Sequence, residues 1–224
     1  MATSTTLDIT GHRGLPVPNQ LLRPRGPIEH LVVLLPGYRY TLDMPLFYYA
    51  ENRALEVGAD VLRVEVAYVR VAEFQAADDD EQRRWLLEDT EAALHATLAQ
   101  RSYRGVTLVG KSLGTRAMAH LLAGAPEAWD AVWLTPVLAE PPVVAGVRSF
   151  SGRSLVVIGT ADPHYDPALL ADLAAKPGIE TIVVDGADHG MDIPGDPVAS
   201  VRALGRYVEA LVRFLPGPDA AGSA

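Results

Sequence analysis

Ser112 stands in Gly110-Lys111-Ser112-Leu113-Gly114, a Gly-x-Ser-x-Gly pattern, and a serine so flanked can serve as a nucleophile. The pattern follows an apolar run, Val106-Thr107-Leu108-Val109, and precedes a helix-compatible stretch from Thr115 to Ala123. Strand, sharp turn and helix is the setting in which such a serine projects from the end of a sheet. The chemistry explains the glycines. The serine backbone must take a strained conformation, and a larger neighbour would collide with the adjoining strand or helix. A pattern this short also arises by chance, but the strand before it and the helix after it argue against that here.

A serine hydroxyl is a weak nucleophile unless a base takes its proton, and the base works best when a carboxylate orients it. The run Leu155–Ile158 ends in Gly159, and Asp162 follows in Gly159-Thr160-Ala161-Asp162-Pro163. The run Thr181–Val184 is followed by His189 in Gly186-Ala187-Asp188-His189-Gly190. Parallel strands deliver all their C-terminal loops to one sheet edge, so Ser112, Asp162 and His189 can converge.

Rivals exist for both partners. Asp166 reads better as the N-cap of a helix with Pro167 at its first position. Asp188 adjoins His189, and adjacent residues usually point apart; Asp192 is a further neighbour. His164, two residues past Asp162, is the main rival base, and a loop position such as that of His189 also suits a plain surface histidine. His30 opens a strand and so belongs at the opposite edge, while His95 lies in mid-helix. His120 is eight positions beyond Ser112, about 12 Å along a helix axis. His12 sits in a region without a clear pattern. The aspartates with His164 and His189 match no metal-motif spacing, so no metal and no cofactor are expected.

The elements that must position these residues alternate along the chain. His30–Leu35, Asp60–Val66, Gly105–Val109, Ala131–Leu134, Leu155–Ile158 and Thr181–Val184 read as buried strands. Asp80–Arg101, with Leu87, Thr90, Leu94 and Leu98 on one face, reads as a helix, and Asp78 to Glu81 favour its N-terminus. Val198, Val201, Leu204, Val208, Leu211 and Leu215 mark a final helix. The alternation predicts an α/β class: a doubly wound, mostly parallel sheet flanked by helices. Residues 3–10 are expected to add an antiparallel edge strand. No linker divides the chain, so one domain is expected over 1–224, with a core of about 28–215 and a frayed 217–224.

Composition narrows the partners. The chain has 224 residues, 49% of them hydrophobic and 21% charged, enough for one sizeable core. A formal net charge of −9 disfavours nucleic acid and anionic membrane surfaces. The absence of cysteine excludes disulfides and thiolate chemistry. The first residues lack a basic flank before an apolar run, and no run is long enough to span a bilayer, so a cytoplasmic location is expected.

The order Ser112, Asp162, His189, each after a successive strand, resembles the α/β-hydrolase superfamily over roughly residues 28–215. That resemblance implies a catalytic Ser-His-Asp triad, with an oxyanion hole formed by two backbone N–H groups. One would be Leu113. The other would come from Pro36-Gly37-Tyr38-Arg39-Tyr40, with Tyr38 the expected donor. The superfamily often opens this loop with His-Gly, and here Pro36 replaces the histidine. Gly37, Arg39 and Tyr40 are candidate substrate-binding residues, against the plainer reading of a solvated Arg39. Phe47, Tyr48 and Tyr49 fit a helix packed on the sheet.

Residues 136–152, with Pro141-Pro142 and no clear periodicity, occupy the place where related enzymes carry a lid, and are too few for a large cap. An open site and a small or medium acyl ester or thioester substrate are expected. Acyl transfer, a lyase reaction, or a non-catalytic interaction protein retaining the fold are the alternatives.

Overall fold

Nearly continuous apolar runs are stable as strands when both sheet faces are covered, and that is how they are used here. The computed structural model describes residues 2–26 and 29–215. The strands are β1 (Thr3–Thr5), β2 (Asn19–Arg23), β3 (His30–Leu35), β4 (Asp60–Val64), β5 (Gly105–Lys111), β6 (Trp129–Leu134), β7 (Arg153–Gly159) and β8 (Ile179–Val184). They form one eight-stranded sheet in the order β1-β2-β4-β3-β5-β6-β7-β8. β3 to β8 pair in parallel, whereas β1 and β2 are antiparallel to their neighbours.

The edge strand expected in residues 3–10 is shortened to Thr3–Thr5, and β2 lies between it and the rest. The sequence pattern missed β2 because a strand so near the edge needs little apolar surface; only Leu21 of its leucines is fully buried. The 217–224 tail lies outside the described residues.

Helices α1 (Pro45–Glu56) and α7 (Pro197–Phe214) cover one face. The short α2 (Ala72–Ala76), with α3 (Asp79–Leu98), α4 (Leu113–Leu121), α5 (Pro141–Ser149) and α6 (Pro167–Ala174), covers the other. Asp78 caps α3, its side chain accepting from Glu81 N–H at 2.8 Å. None of the helices among the described residues is long and apolar enough to cross a membrane.

Two helical stripes differ from the expected ones. In α3 the buried face runs through Leu86, Thr90, Ala93, Leu94 and Thr97, leaving Leu87 and Leu98 half-buried. Asp89 is drawn into that face because its carboxylate accepts from His12 N–H at 2.8 Å and Tyr68 O–H at 3.0 Å. In α7 the buried face runs through Ala203, Tyr207, Ala210, Leu211 and Phe214, while Val198 and Val201 are exposed. The alanines let the helix approach closely, and the Tyr207 hydroxyl donates to Leu46 O at 3.1 Å.

The 136–152 connection is not irregular throughout. Pro141 and Pro142 open α5, where a proline's missing N–H costs nothing, and Val143 and Val147 are buried one turn apart. The paired prolines masked this helix in the sequence. It lies against α4 so closely that a Cβ on Gly146 would sit 2.8 Å from Ala119 Cβ.

Where the sheet and loops press together, glycine is required by space. A Cβ on Gly114 would lie 2.2 Å from Leu35 O, and one on Gly159 would lie 2.0 Å from Ala187 O. Gly205, within α7, has nothing within 4 Å of its Cβ position. Gly114→Ala and Gly159→Ala are therefore expected to destabilise by about 1–3 kcal/mol each. Gly205→Ala is expected to stabilise by about 0.5–1 kcal/mol through helix propensity. Urea unfolding of the three variants checks both signs.

Candidate active site

The parallel register aligns the strand ends that carry the site. Leu35 pairs with Gly110, Lys111 with Leu134, and Gly159 with Val184. Ser112, Asp162 and His189 follow β5, β7 and β8 by one, three and five residues. Two loops are stitched together behind them. Thr160 Oγ1 accepts from Gly186 N–H at 2.8 Å, and Ala187 O accepts from Ala161 N–H at 3.0 Å. The loop carrying Asp162 and the loop carrying His189 therefore move as one.

Ser112 has φ 50° and ψ −112°, a strained conformation for a residue with a side chain. Ser112 N–H donates to Leu134 O at 3.1 Å, and Ser112 O accepts from the Thr115 hydroxyl at 2.6 Å. These bonds hold the turn from both sides and leave Oγ facing His189.

The three residues form a hydrogen-bonded chain. His189 Nε2 lies 2.9 Å from Ser112 Oγ, and His189 Nδ1 lies 2.7 Å from Asp162 Oδ2. The other oxygen, Oδ1, accepts from His164 N–H at 2.8 Å. The Asp162 side chain is fully buried, whereas His189 is half-buried. Burial by itself would raise the Asp162 carboxyl. Hydrogen bonds from His189 and His164 N–H, with the charges of both imidazoles, outweigh it and hold the carboxyl below the usual carboxylate range. A buried anion between two imidazoles fixes which nitrogen of His189 carries the proton: Nδ1 donates to Asp162, and Nε2 is left to accept from Ser112.

The rival residues take other places. Asp166 caps α6, its Oδ1 accepting from Ala168 and Leu169 N–H at 3.0 Å each. Asp188 turns away from the imidazole and shapes its own loop, accepting from Gly190 N–H at 2.7 Å and Asp192 N–H at 3.1 Å. His164 makes edge contact with His189, ring centroids 5.5 Å apart. Its Nδ1 is buried without a partner among the described residues. His12 is buried on α3 between Glu81 and Glu88, and His30 bonds Thr107 at the opposite sheet edge. Ligand atoms of Asp162, His164 and His189 lie within 4.8 Å of one another, so a cation would have to compete with the hydrogen bonds just described.

Ser112 opens into a cleft of about 380 Å³. Tyr38, Phe74, Leu113 and Val137 supply apolar wall, and Arg116 and Glu140, paired with each other, supply a polar end. Leu113 begins α4, so its N–H has no acceptor within the helix. Tyr38 N–H donates to no other described residue. Gly37 lies beside the serine: a Cβ there would sit 3.5 Å from Ser112 Cβ.

The remaining two candidates of that loop lie elsewhere. Arg39 is exposed on a neighbouring cleft with Thr41 and Arg63, because the chain turns outward after Gly37. Tyr40 turns inward, its hydroxyl accepting from Leu46 N–H at 3.1 Å. Phe47 is buried on the sheet, while Tyr48 and Tyr49 are exposed. A larger cleft, about 500 Å³, lies between Tyr40 and Met191 and does not include Ser112.

Lys111 is the residue whose part the sequence pattern missed. It is buried to 1% exposure and its Nζ donates to His189 O at 2.5 Å and Thr135 Oγ1 at 2.7 Å. Within the motif it fills a variable position, so only its rarity in an otherwise apolar strand could have marked it.

No protein-family model and no curated protein sequence matches the chain. Solved structures do. An esterase from Pyrococcus furiosus superposes with a TM-score of 0.69 at 15% identity, covering 96% of this chain and 94% of that one. An α/β serine hydrolase homologue from Coxiella burnetii gives 0.66 at 17% identity, covering 96% and 97%. A serine hydrolase without a lid from Xanthomonas campestris gives 0.64 at 19% identity, covering 96% of each chain. The chain has the α/β-hydrolase fold, in the form without a large cap.

The lowered Asp162 pKa has a consequence for stability. Its native value lies below the unfolded value of about 3.9, so its contribution is present above about pH 4 and is lost as pH falls through the native value. The stability gap between the wild type and Asp162→Asn in urea unfolding is expected to hold at neutral pH and shrink below about pH 4. A gap independent of pH would contradict the charge-based account.

Proposed function

We propose that the protein is a serine hydrolase acting on esters or thioesters of small to medium acyl groups. The observation that carries this reading is the unbroken chain Ser112 Oγ, His189 Nε2, His189 Nδ1, Asp162 Oδ2 at a strained strand-to-helix turn. The serine hydrolases and the esterase that share the fold support it at the level of reaction class.

In this reading Ser112 Oγ attacks the acyl carbon while His189 Nε2 takes its proton. Asp162 keeps Nδ1 protonated and stabilises the imidazolium that forms. The oxyanion is met by the N–H groups of Leu113, at the positive end of α4, and of Tyr38. His189 then protonates the leaving group, and water, activated by the same imidazole, releases the acyl group from Ser112. The reaction needs no cofactor. The small-molecule substrate would lie in the cleft between Tyr38 and Val137, with Gly37 allowing close approach to the serine. A cytoplasmic location belongs to the same proposal.

An organophosphonate probe is expected to label Ser112 at neutral pH. Ser112→Ala should keep the fold and lose turnover by several orders of magnitude. Asp162→Asn should cut kcat by about four orders of magnitude, because an amide favours the wrong imidazole tautomer. Asp166→Asn should change little, since asparagine caps helices about as well. A wild type that takes up no probe would overturn the reading.

Cleft size sets a second expectation. Across a matched ester series from acetyl to palmitoyl, kcat/KM is expected to peak at the short or middle acyl groups and fall for the longest. A steep rise toward palmitoyl, with activation at a lipid interface, would contradict it.

A further inference from the structure

Lys111 is the last residue of β5, and strand alternation sends its side chain to the face opposite Gly110, away from α4. There it reaches loops that follow three other strands. Its Nζ donates to Thr135 Oγ1 after β6 and to His189 O after β8, and it lies 4.6 Å from the centroid of the Tyr40 ring after β3. An ammonium has three donors and no acceptor, and here two oxygens and one aromatic face receive it. A neutral amine would offer two N–H groups and a lone pair, leaving one of the three receivers unmatched.

Resting on the serine-hydrolase reading, we propose that Lys111 is a positioning residue for His189. Its ammonium ties the histidine's own carbonyl to the end of β6 and to Tyr40, and so keeps Nε2 against the Ser112 hydroxyl. The two loops it joins are both strained. Thr135 has φ 40° and Met191, two residues past His189, has φ 67°. A charge-assisted bond is about twice as strong as a neutral one, which suits a clamp on strained backbone.

The charge has a limited pH range. Burial lowers the Lys111 pKa to about 8, against the opposing pull of Asp162, Asp188 and Asp192. The titratable groups facing it are those three carboxylates, the His189 imidazole beyond the bonded carbonyl, and the Tyr40 phenol, which burial pushes up to about 12. As pH rises through about 8, the ammonium loses its proton and the clamp its charge. Stability should move the other way. The native pKa lies below the unfolded value near 10.4, so the cost of burying the charge declines between about pH 8 and 10.4.

The test follows Ser112 labelling by the phosphonate probe and kcat and KM for a short ester, from pH 6 to 10. Alongside, 13Cε NMR of lysine follows the proton itself; the chain has only Lys111 and Lys176, so Lys111→Met assigns the signals. The wild type should lose labelling and kcat above about pH 8, in step with the Lys111 signal, with KM little changed. Lys111→Met, checked for folding by its melting temperature, should show kcat lowered by roughly 10²-fold, as for a 1 Å misplacement of a catalytic group, and no alkaline loss. The stability of the wild type relative to Lys111→Met should rise over the same range. Thr135→Val, which removes one acceptor, should move the alkaline loss to lower pH, a shift that a purely structural contact would not produce.

Labelling and kcat that stay level while the Lys111 signal titrates would overturn the clamp and leave the hydrolase reading intact. A Lys111 signal that does not titrate below pH 10 would also overturn the clamp as described. No labelling at any pH would overturn the hydrolase reading, and this inference with it.

Discussion

A serine at φ 50° and ψ −112° can persist only where its surroundings give it no alternative, and β5 supplies those surroundings. Such a conformation costs about 1–3 kcal/mol, which the packed sheet has to offset. β5 is an interior strand between β3 and β6, with every residue buried. The turn that ends it is bounded by Leu35 O against Gly114, by Met118 against Gly110, and by the bond from Ser112 N–H to Leu134 O. The serine side chain has little freedom left. Its aim at His189 is a property of the sheet as much as of the residue.

The same sheet edge concentrates strain and charge. Among the described residues, three of the four non-glycine residues with positive φ, Ser112, Thr135 and Met191, lie on it. Asp162 is buried as an anion and Lys111 is buried with its pKa lowered toward neutrality. Each is unfavourable in isolation, since burial penalises charge and positive φ penalises side chains. They persist because hydrogen bonds cross from loop to loop: Thr160 to Gly186, Ala161 to Ala187, Lys111 to Thr135 and His189. The site is thus rigid by cross-linking among loops, on a scaffold whose stability comes from the two apolar layers around the sheet.

The region after β6 decides how much room the serine sees. α5 is nine residues long and lies on α4, and the short segment before it, with Val137 and Glu140, walls the cleft. A helix held on its neighbour by Gly146 against Ala119 and by the buried Val143 and Val147 does not extend over Ser112 as a lid would. Openness therefore follows from close helix packing, and from the brevity of the connection that produces it.

Much of the fold was legible in the residues because the relevant forces are local or periodic. The apolar runs marked the six parallel strands, β3 to β8, to within two residues at either end, since strands covered on both faces must be largely apolar. The glycines about Ser112 reported a turn that only small neighbours allow, and Asp166 with Pro167 reported a helix cap. What escaped was set by partners distant in sequence. β2 exists through its pairing with β4, and the buried faces of α3 and α7 were rotated by a bond from His12 and by close alanine contacts. Asp162 could be favoured over Asp188 from its place in the chain, but only the folded loops show Asp188 bonding its own backbone instead. Lys111 occupies a variable position in a short motif, and no local rule gives it a task. Its meaning comes from β6 ending level with β5 and from the loop after β8 bringing His189 O back to the same place, and that convergence is a fact of tertiary structure alone.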